Sequence, residues 1–253
     1  MMIPKILTNR MPKTEVTQDP CFIPPVTSLG SFPSKIVWLS GAPGAGKGTN
    51  EKQIIDGAGL YPEPLVASAL LNTPEMLEKV NRGLLLDDPT VVSAVFEALQ
   101  NSIYRQGVLV DGFPRTLGQA ESVAWLYDQL CEYGHSPLFA VFVLMIDKSE
   151  SLRRQQHRAQ EALAHNSQVQ KSGKGQMEEV RPTDLDPKIA SRRYEQFMDL
   201  TYTGLVSLKD RLPFYQIDSK GTREEVRQRI ARALKEGFGH PQRNSGKSYP
   251  LPE

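Results

Sequence analysis

The chain has little of what marks a metal centre, a secreted disulfide scaffold, a membrane protein or a nucleic-acid binder. Its 253 residues include two cysteines, Cys21 and Cys131, and four scattered histidines. None stands at the close spacing that metal ligands need, so a zinc site is not expected and a reducing compartment, the cytoplasm, fits best. Neither sign of charge is in excess: 30 Lys and Arg face 29 Asp and Glu, a formal net charge of +1. No general field therefore draws the chain to nucleic acid or to an anionic membrane, and any anion site must be local. No apolar run approaches the roughly 20 residues that span a bilayer. The N-terminus lacks the unbroken apolar core of a secretory signal, and no internal repeat is present.

What is present is an ordinary globular composition, 39% hydrophobic and 23% charged, enough for one core with small appended lobes. Residues 1–34 carry Pro4, Pro12, Pro20, Pro24, Pro25 and Pro33. Such breaks neither propagate a helix nor pair as a strand, so this stretch reads as an extension outside the core. It has a single arginine and two acids, unlike an Arg-rich transit peptide. From Lys35 onward the pattern alternates. Lys35 to Ser40, Gly107 to Asp111, Phe139 to Ile146 and Pro213 to Asp218 read as strands. Helical patterns lie between them: about 46–55, one capped by Asp88 with Pro89 in its first turn, one with Leu117, Ala120, Val123, Ala124 and Leu130 as its stripe, and a last one with Val226, Ile230 and Leu234. Alternation of this kind predicts an α/β fold with a central parallel sheet and ligands beyond the carboxyl ends of the strands. Two segments interrupt it, 60–87 with short helical pieces and the polar stretch 159–185, and both read as surface lobes.

Gly41-Ala42-Pro43-Gly44-Ala45-Gly46-Lys47-Gly48-Thr49 places a glycine-rich turn between a predicted strand and a predicted helix. Glycines let successive backbone N–H groups face anionic oxygens, the helix N-terminus adds positive charge, and Lys47 can reach a transferred phosphate. A glycine-rich turn with a solvated lysine is the plainer alternative, but it does not require Gly46-Lys47 at this offset. The general phosphate-loop pattern has Ser or Thr directly after the lysine; here Gly48 intervenes and the hydroxyl arrives at Thr49. A second cluster, Asp111-Gly112-Phe113-Pro114-Arg115-Thr116 followed by Gln119, begins at the end of a predicted strand. There Asp111 can hold Mg²⁺ or its water ligands beside the loop.

These two motifs, in this order, resemble those of the adenylate kinase family of nucleoside monophosphate kinases, whose loop reads Gly-x-Pro-Gly-Ala-Gly-Lys-Gly-Thr, usually followed by Gln where this chain has Asn50. The resemblance covers roughly 35–234. It implies a three-layer P-loop kinase fold over 35–237, with a small helical lobe for the acceptor nucleotide at about 60–88 and a lid insertion at about 159–185, and a tail over 238–253. It implies ATP on Gly41, Pro43, Gly44, Ala45, Gly46, Lys47, Gly48, Thr49, Arg154 and the backbone around Lys220, in the turn Asp218-Ser219-Lys220-Gly221. Arg115 would grip the acceptor phosphate and Gln119 the acceptor base, with Ser68, Asn72, Leu86 and Gly112 completing that side. Arg154, Arg158, Arg181 and either Arg192 or Arg193, which register does not separate, would join Lys47 and Arg115 around the transferred group. Singly each arginine is an ordinary solvated residue; together they suit a reaction that needs in-line positioning and charge neutralisation. Mg²⁺ is the implied cofactor and a monomer the implied state.

The chain departs from the family where Val66-Ala67-Ser68-Ala69-Leu70-Leu71-Asn72 stands for Ser-Thr-Gly-Asp-(Leu or Met)-Leu-Arg. Asn72 replaces an arginine on the acceptor phosphate, and Ala67 and Ala69 replace the threonine and the aspartate. Gly83 to Asp88 still resembles the acceptor lobe's Gly-x-Leu-Val-x-Asp element. The expected activity is ATP-dependent phosphorylation of a nucleoside monophosphate, AMP first. The alternatives are CMP or UMP as acceptor, or a catalytically weak nucleotide-binding module.

Overall fold

The computed structural model describes residue 23 and residues 28–71, 73, 74, 76, 78 and 86–238. Asn72, Gly83 and the rest of 1–34 and 238–253 beyond these bounds lie outside the described residues. Five strands form one sheet among them: β1 (Lys35–Gly41), β2 (Leu65–Val66), β3 (Val108–Asp111), β4 (Leu138–Met145) and β5 (Phe214–Asp218), in the order β2-β3-β1-β4-β5. Every pairing is parallel. The α/β architecture with a central parallel sheet is therefore as expected. Ile36, Val37, Trp38 and Leu39 of β1 and Phe139 to Leu144 of β4 are fully enclosed, which explains their continuously apolar sequences: both faces of a parallel sheet are covered by helices.

Register decides where chemistry can happen. Leu39 pairs with Asp111, Val66 with Asp111, Gly41 with Leu144, and Met145 with Asp218. The carboxyl ends of all five strands thus open on one edge, and the glycine-rich loop, Asp111 and the 218–221 turn all leave from it.

Helix α1 (Lys47–Ala58) follows β1, α2 (Asp88–Leu99) precedes β3, α3 (Leu117–Glu132) follows β3, and α8 (Arg223–Phe238), after β5, packs against α1. Between β4 and β5 lie α4 (Lys148–Ser172), α5 (Pro182–Leu185), α6 (Pro187–Gln196), a π-helical stretch over Phe197–Tyr202, and α7 (Thr203–Val206).

One sequence expectation needs correction, and two segments carry more regular structure than their sequence shows. The cap of α2 is Asp87, whose Oδ1 accepts from Thr90 N at 3.0 Å, and Asp88 is the first helical residue. The 60–87 lobe contributes the edge strand β2 as well as a 3₁₀ turn over Ala67–Leu70. Most of the polar 159–185 segment is helix, because α4 continues to Ser172 and ends on Gly173 in the left-handed region, and α5 covers Pro182–Leu185. The returning chain is tied to that helix by Asn166, which donates to Glu178 O at 2.9 Å and accepts from Glu178 N at 2.7 Å. No helix among the described residues is long and apolar enough to cross a membrane.

Candidate active site

The glycine-rich loop is built by close packing against α4. Ser151 Oγ donates to Pro43 O at 2.6 Å. Gly44 has φ +76, and a Cβ there would stand 3.1 Å from Ser151 O and 3.2 Å from Arg154 Cβ. Gly44→Ala is therefore expected to lower stability by roughly 1–3 kcal/mol through left-handed strain and to raise the KM for ATP, measured by thermal denaturation and initial rates. Gly46 caps α1 with left-handed backbone, and the first N–H groups of that helix have no intrahelical acceptor. Asn50, where glutamine is usual, is buried and donates from Nδ2 to Gly46 O at 2.8 Å, so it fastens the loop from below. Thr49 is exposed at the helix start.

Lys47 Nζ lies 3.8 Å from Asp111 Oδ1 at the end of β3. Burial holds the Lys47 ammonium below its ordinary pKa; Asp111 opposes that, while Arg115, Arg181 and Arg193 push it further down. Burial likewise lowers Arg115, with Asp111 opposing. Arg193 is lowered by burial, supported by Asp184, and repelled by Arg158, Arg181 and Arg115. Lys47, Arg115, Arg158, Arg181 and Arg193 thus form one connected set of repelling cations.

Arg115 is braced on three sides. Its Nε donates to Gly112 O at 2.7 Å, its backbone N to Gln119 Oε1 at 2.8 Å, and its carbonyl accepts from Thr201 Oγ1, on the π-helical stretch, at 3.0 Å. The Phe113-Pro114 bond is cis. Gly112 has φ +80 and faces Arg115 so closely that a Cβ would sit 2.7 Å from its Nη2. Gln119 is buried, and its Nε2 donates to Asp88 Oδ1 at 2.8 Å. Both ends of the amide are engaged within the protein. Asp88 also accepts from Thr116 Oγ1 at 2.7 and 2.8 Å, so α2 and the Asp-Gly-Phe-Pro-Arg turn are locked together.

The remaining arginines divide by partner. Arg154 donates from Nε to Glu150 Oε1 at 2.6 Å and from Nη2 to Ser219 O at 3.0 Å, linking α4 to the 218–221 turn. Arg153 and Arg154 together hold the Glu150 carboxyl down to about 2. Arg158 and Arg193 converge on the buried Asp184, Arg158 from Nε at 2.8 Å and Nη2 at 2.6 Å, Arg193 from Nη1 at 3.1 Å. Arg193 Nη1 also donates to Thr183 Oγ1 at 2.8 Å. Arg192 is exposed one position away, so the structure distinguishes the two residues that register leaves equivalent. Arg181 is exposed, with Glu179 at 3.8 Å. Lys220 Nζ pairs with Asp147, the cap of α4, whose carboxyl it holds far below the usual range. Ser68 is exposed, and Leu86 packs against the core.

Sequence reasoning missed Asp184, Thr201 and Glu51. Asp184 was within the Arg-Pro-Thr-Asp signal that singled out Arg181. Thr201 carried no local signal. Glu51 is half-buried one turn after Lys47, and its carboxyl is raised by burial first and by Asp111 second, with Lys47 opposing.

A parallel sheet whose first strand opens into a phosphate cradle, with a lysine, an aspartate and converging arginines over it, defines a P-loop nucleotide kinase. The comparisons narrow the class. The chain is 29% identical over 208 residues to the adenylate kinase of Nitrobacter hamburgensis, covering 79% of this chain and 92% of that one. It is 30% identical over 205 residues to the adenylate kinase of Xanthobacter autotrophicus, covering 78% and 97%, and 31% identical over 199 residues to that of Azorhizobium caulinodans, covering 76% and 94%. A scan against models of protein families gives no match. The chain belongs to the adenylate kinase family and is, by class, a nucleoside monophosphate kinase.

Proposed function

We propose that the chain transfers the terminal phosphoryl group of ATP to AMP, giving two ADP. The observation that carries this reading is the mutual repulsion of Lys47, Arg115, Arg181 and Arg193 around one small region, with Asp111 and Asp184 as the carboxylates that offset it. Such a concentration of positive charge is stabilised when polyphosphate enters. Gly41 to Thr49 and the N-terminus of α1 then hold the ATP phosphates, and Arg154 fixes the Ser219 carbonyl beside the nucleotide base. Arg115 faces the acceptor phosphate, and Gln119 keeps it aimed. Arg158, Arg181 and Arg193 approach from the lid side, where closure excludes water so that the phosphoryl group reaches the nucleotide.

Mg²⁺ fits the residues present. Asp111 Oδ1 is buried with no hydrogen-bond partner, an oxygen that a hydrated cation would satisfy. When bound, the ion neutralises charge on the phosphates as transfer proceeds. Asp111 would hold it through water, while Lys47 orients the phosphates independently.

One observation favours a different acceptor. Ala67 and Ala69, beside the strand that pairs with Asp111, replace the polar residues of the family. A coupled assay with ATP, Mg²⁺ and a panel of monophosphates decides. AMP is expected to be turned over fastest, faster CMP or UMP turnover selects the second reading, and ATP binding with no turnover of any monophosphate would leave a binding module.

A further inference from the structure

One acidic side chain beside the phosphate loop has no role in the reaction as described above. Glu51 stands one turn beyond Lys47 on α1, so the two side chains share a face of the helix. Its carboxylate leans back toward the helix start, with Oε1 3.9 Å from where a Cβ on Gly48 would be. It is half-buried, lies within electrostatic reach of Asp111 and of Lys47, and makes no hydrogen bond with the described residues. Placing a carboxylate there, near a second one and without a hydrogen bond, is unfavourable. Nucleotide phosphates would add to that repulsion, whereas a divalent cation reverses it. Mg²⁺ keeps several waters and is held by one or two carboxylates together with substrate phosphates. Asp111, whose Oδ1 is buried and unpartnered, supplies one carboxylate. Position 51 lies outside both sequence motifs.

We propose that Glu51 is a second acidic positioning residue for the hydrated Mg²⁺ that accompanies ATP, and that its charge makes the site select metal-bound over metal-free nucleotide. The proposal rests on the ATP-binding reading of the same site.

Calorimetric titration of a non-hydrolysable ATP analogue into the full-length protein, with Mg²⁺ or with EDTA, tests it in the wild type and in Glu51→Gln. Glutamine preserves the shape and removes the charge. The wild type is expected to prefer the magnesium complex, and in Glu51→Gln that preference falls roughly 10–100-fold, the range for outer-sphere partners of a metal. Metal-free affinity is expected to stay equal or tighten, which also reports that the variant is folded. Mn²⁺ titration followed by electron paramagnetic resonance with the analogue present should show the same weakening. A wild-type preference that persists undiminished in Glu51→Gln overturns the role of Glu51 and leaves ATP binding intact. Failure of the wild type to bind the analogue with or without metal overturns both.

Discussion

Replacing Lys47 with alanine is expected to lower kcat/KM by roughly 10²–10³-fold, about 2.7–4 kcal/mol of transition-state stabilisation, the range for removing one preorganised charge-stabilising donor. The effect should fall mainly on kcat, because the loop and the start of α1 still hold the phosphates through backbone N–H groups. Stability should move the other way. Burial and the neighbouring Arg115, Arg181 and Arg193 hold the Lys47 pKa below its ordinary value. A lysine whose folded pKa is lowered binds its proton less well in the folded state. Its charge therefore opposes folding below that lowered pKa, and the opposition fades as pH rises toward the ordinary lysine range. At neutral pH the empty Lys47→Ala protein should accordingly melt no lower than the wild type, whereas the Tm gain on adding an ATP analogue should shrink with its affinity. Thermal denaturation with and without analogue, alongside initial rates, reads both effects. A variant that keeps wild-type kcat would remove Lys47 from the reaction.

The parts of the site that lie on strongly patterned sequence were legible, and the parts that rest on distant pairing were not. β1 and β3 are continuous apolar runs, and each ends where a motif begins, which sets Gly41 to Thr49 and Asp111 to Thr116 on the carboxyl edge of a parallel sheet. β2 is only Leu65–Val66, too short to show any period. The length of α4 was hidden because its far half buries Ala159, Ala162 and Asn166, small and polar residues that produce no apolar stripe. Asp87 and Asp88 are chemically equivalent as caps. What separates them is that Asp88 is claimed by Thr116 and Gln119 from α3 and the turn before it, a pairing that no local window contains. Arg192 and Arg193 separate for the same reason, since only Arg193 meets Thr183 and Asp184.

That same pairing makes Asp184→Ala the substitution expected to do most harm to the fold. The carboxylate is 1% exposed and accepts from two guanidiniums. Removing one partner of a buried ion cluster is destabilising by about 3–5 kcal/mol, because the opposite charges remain without compensation. Arg158 is 43% exposed and can turn into water, whereas Arg193, at 26%, has less freedom. The loss should thus lie at the lower end of that range, a Tm decrease on the order of 10 °C for a chain of this size. Asp184→Asn keeps one acceptor oxygen and should lose less. Catalysis should fall as well, up to roughly 10²-fold, because two cations beside the phosphate loop lose the group that aims them. A polyphosphate is itself an anion that can meet those arginines. The Tm gain on adding an ATP analogue should therefore be larger in Asp184→Ala than in the wild type even as turnover drops. An equal or smaller gain would mean that Arg158 and Arg193 serve the fold alone.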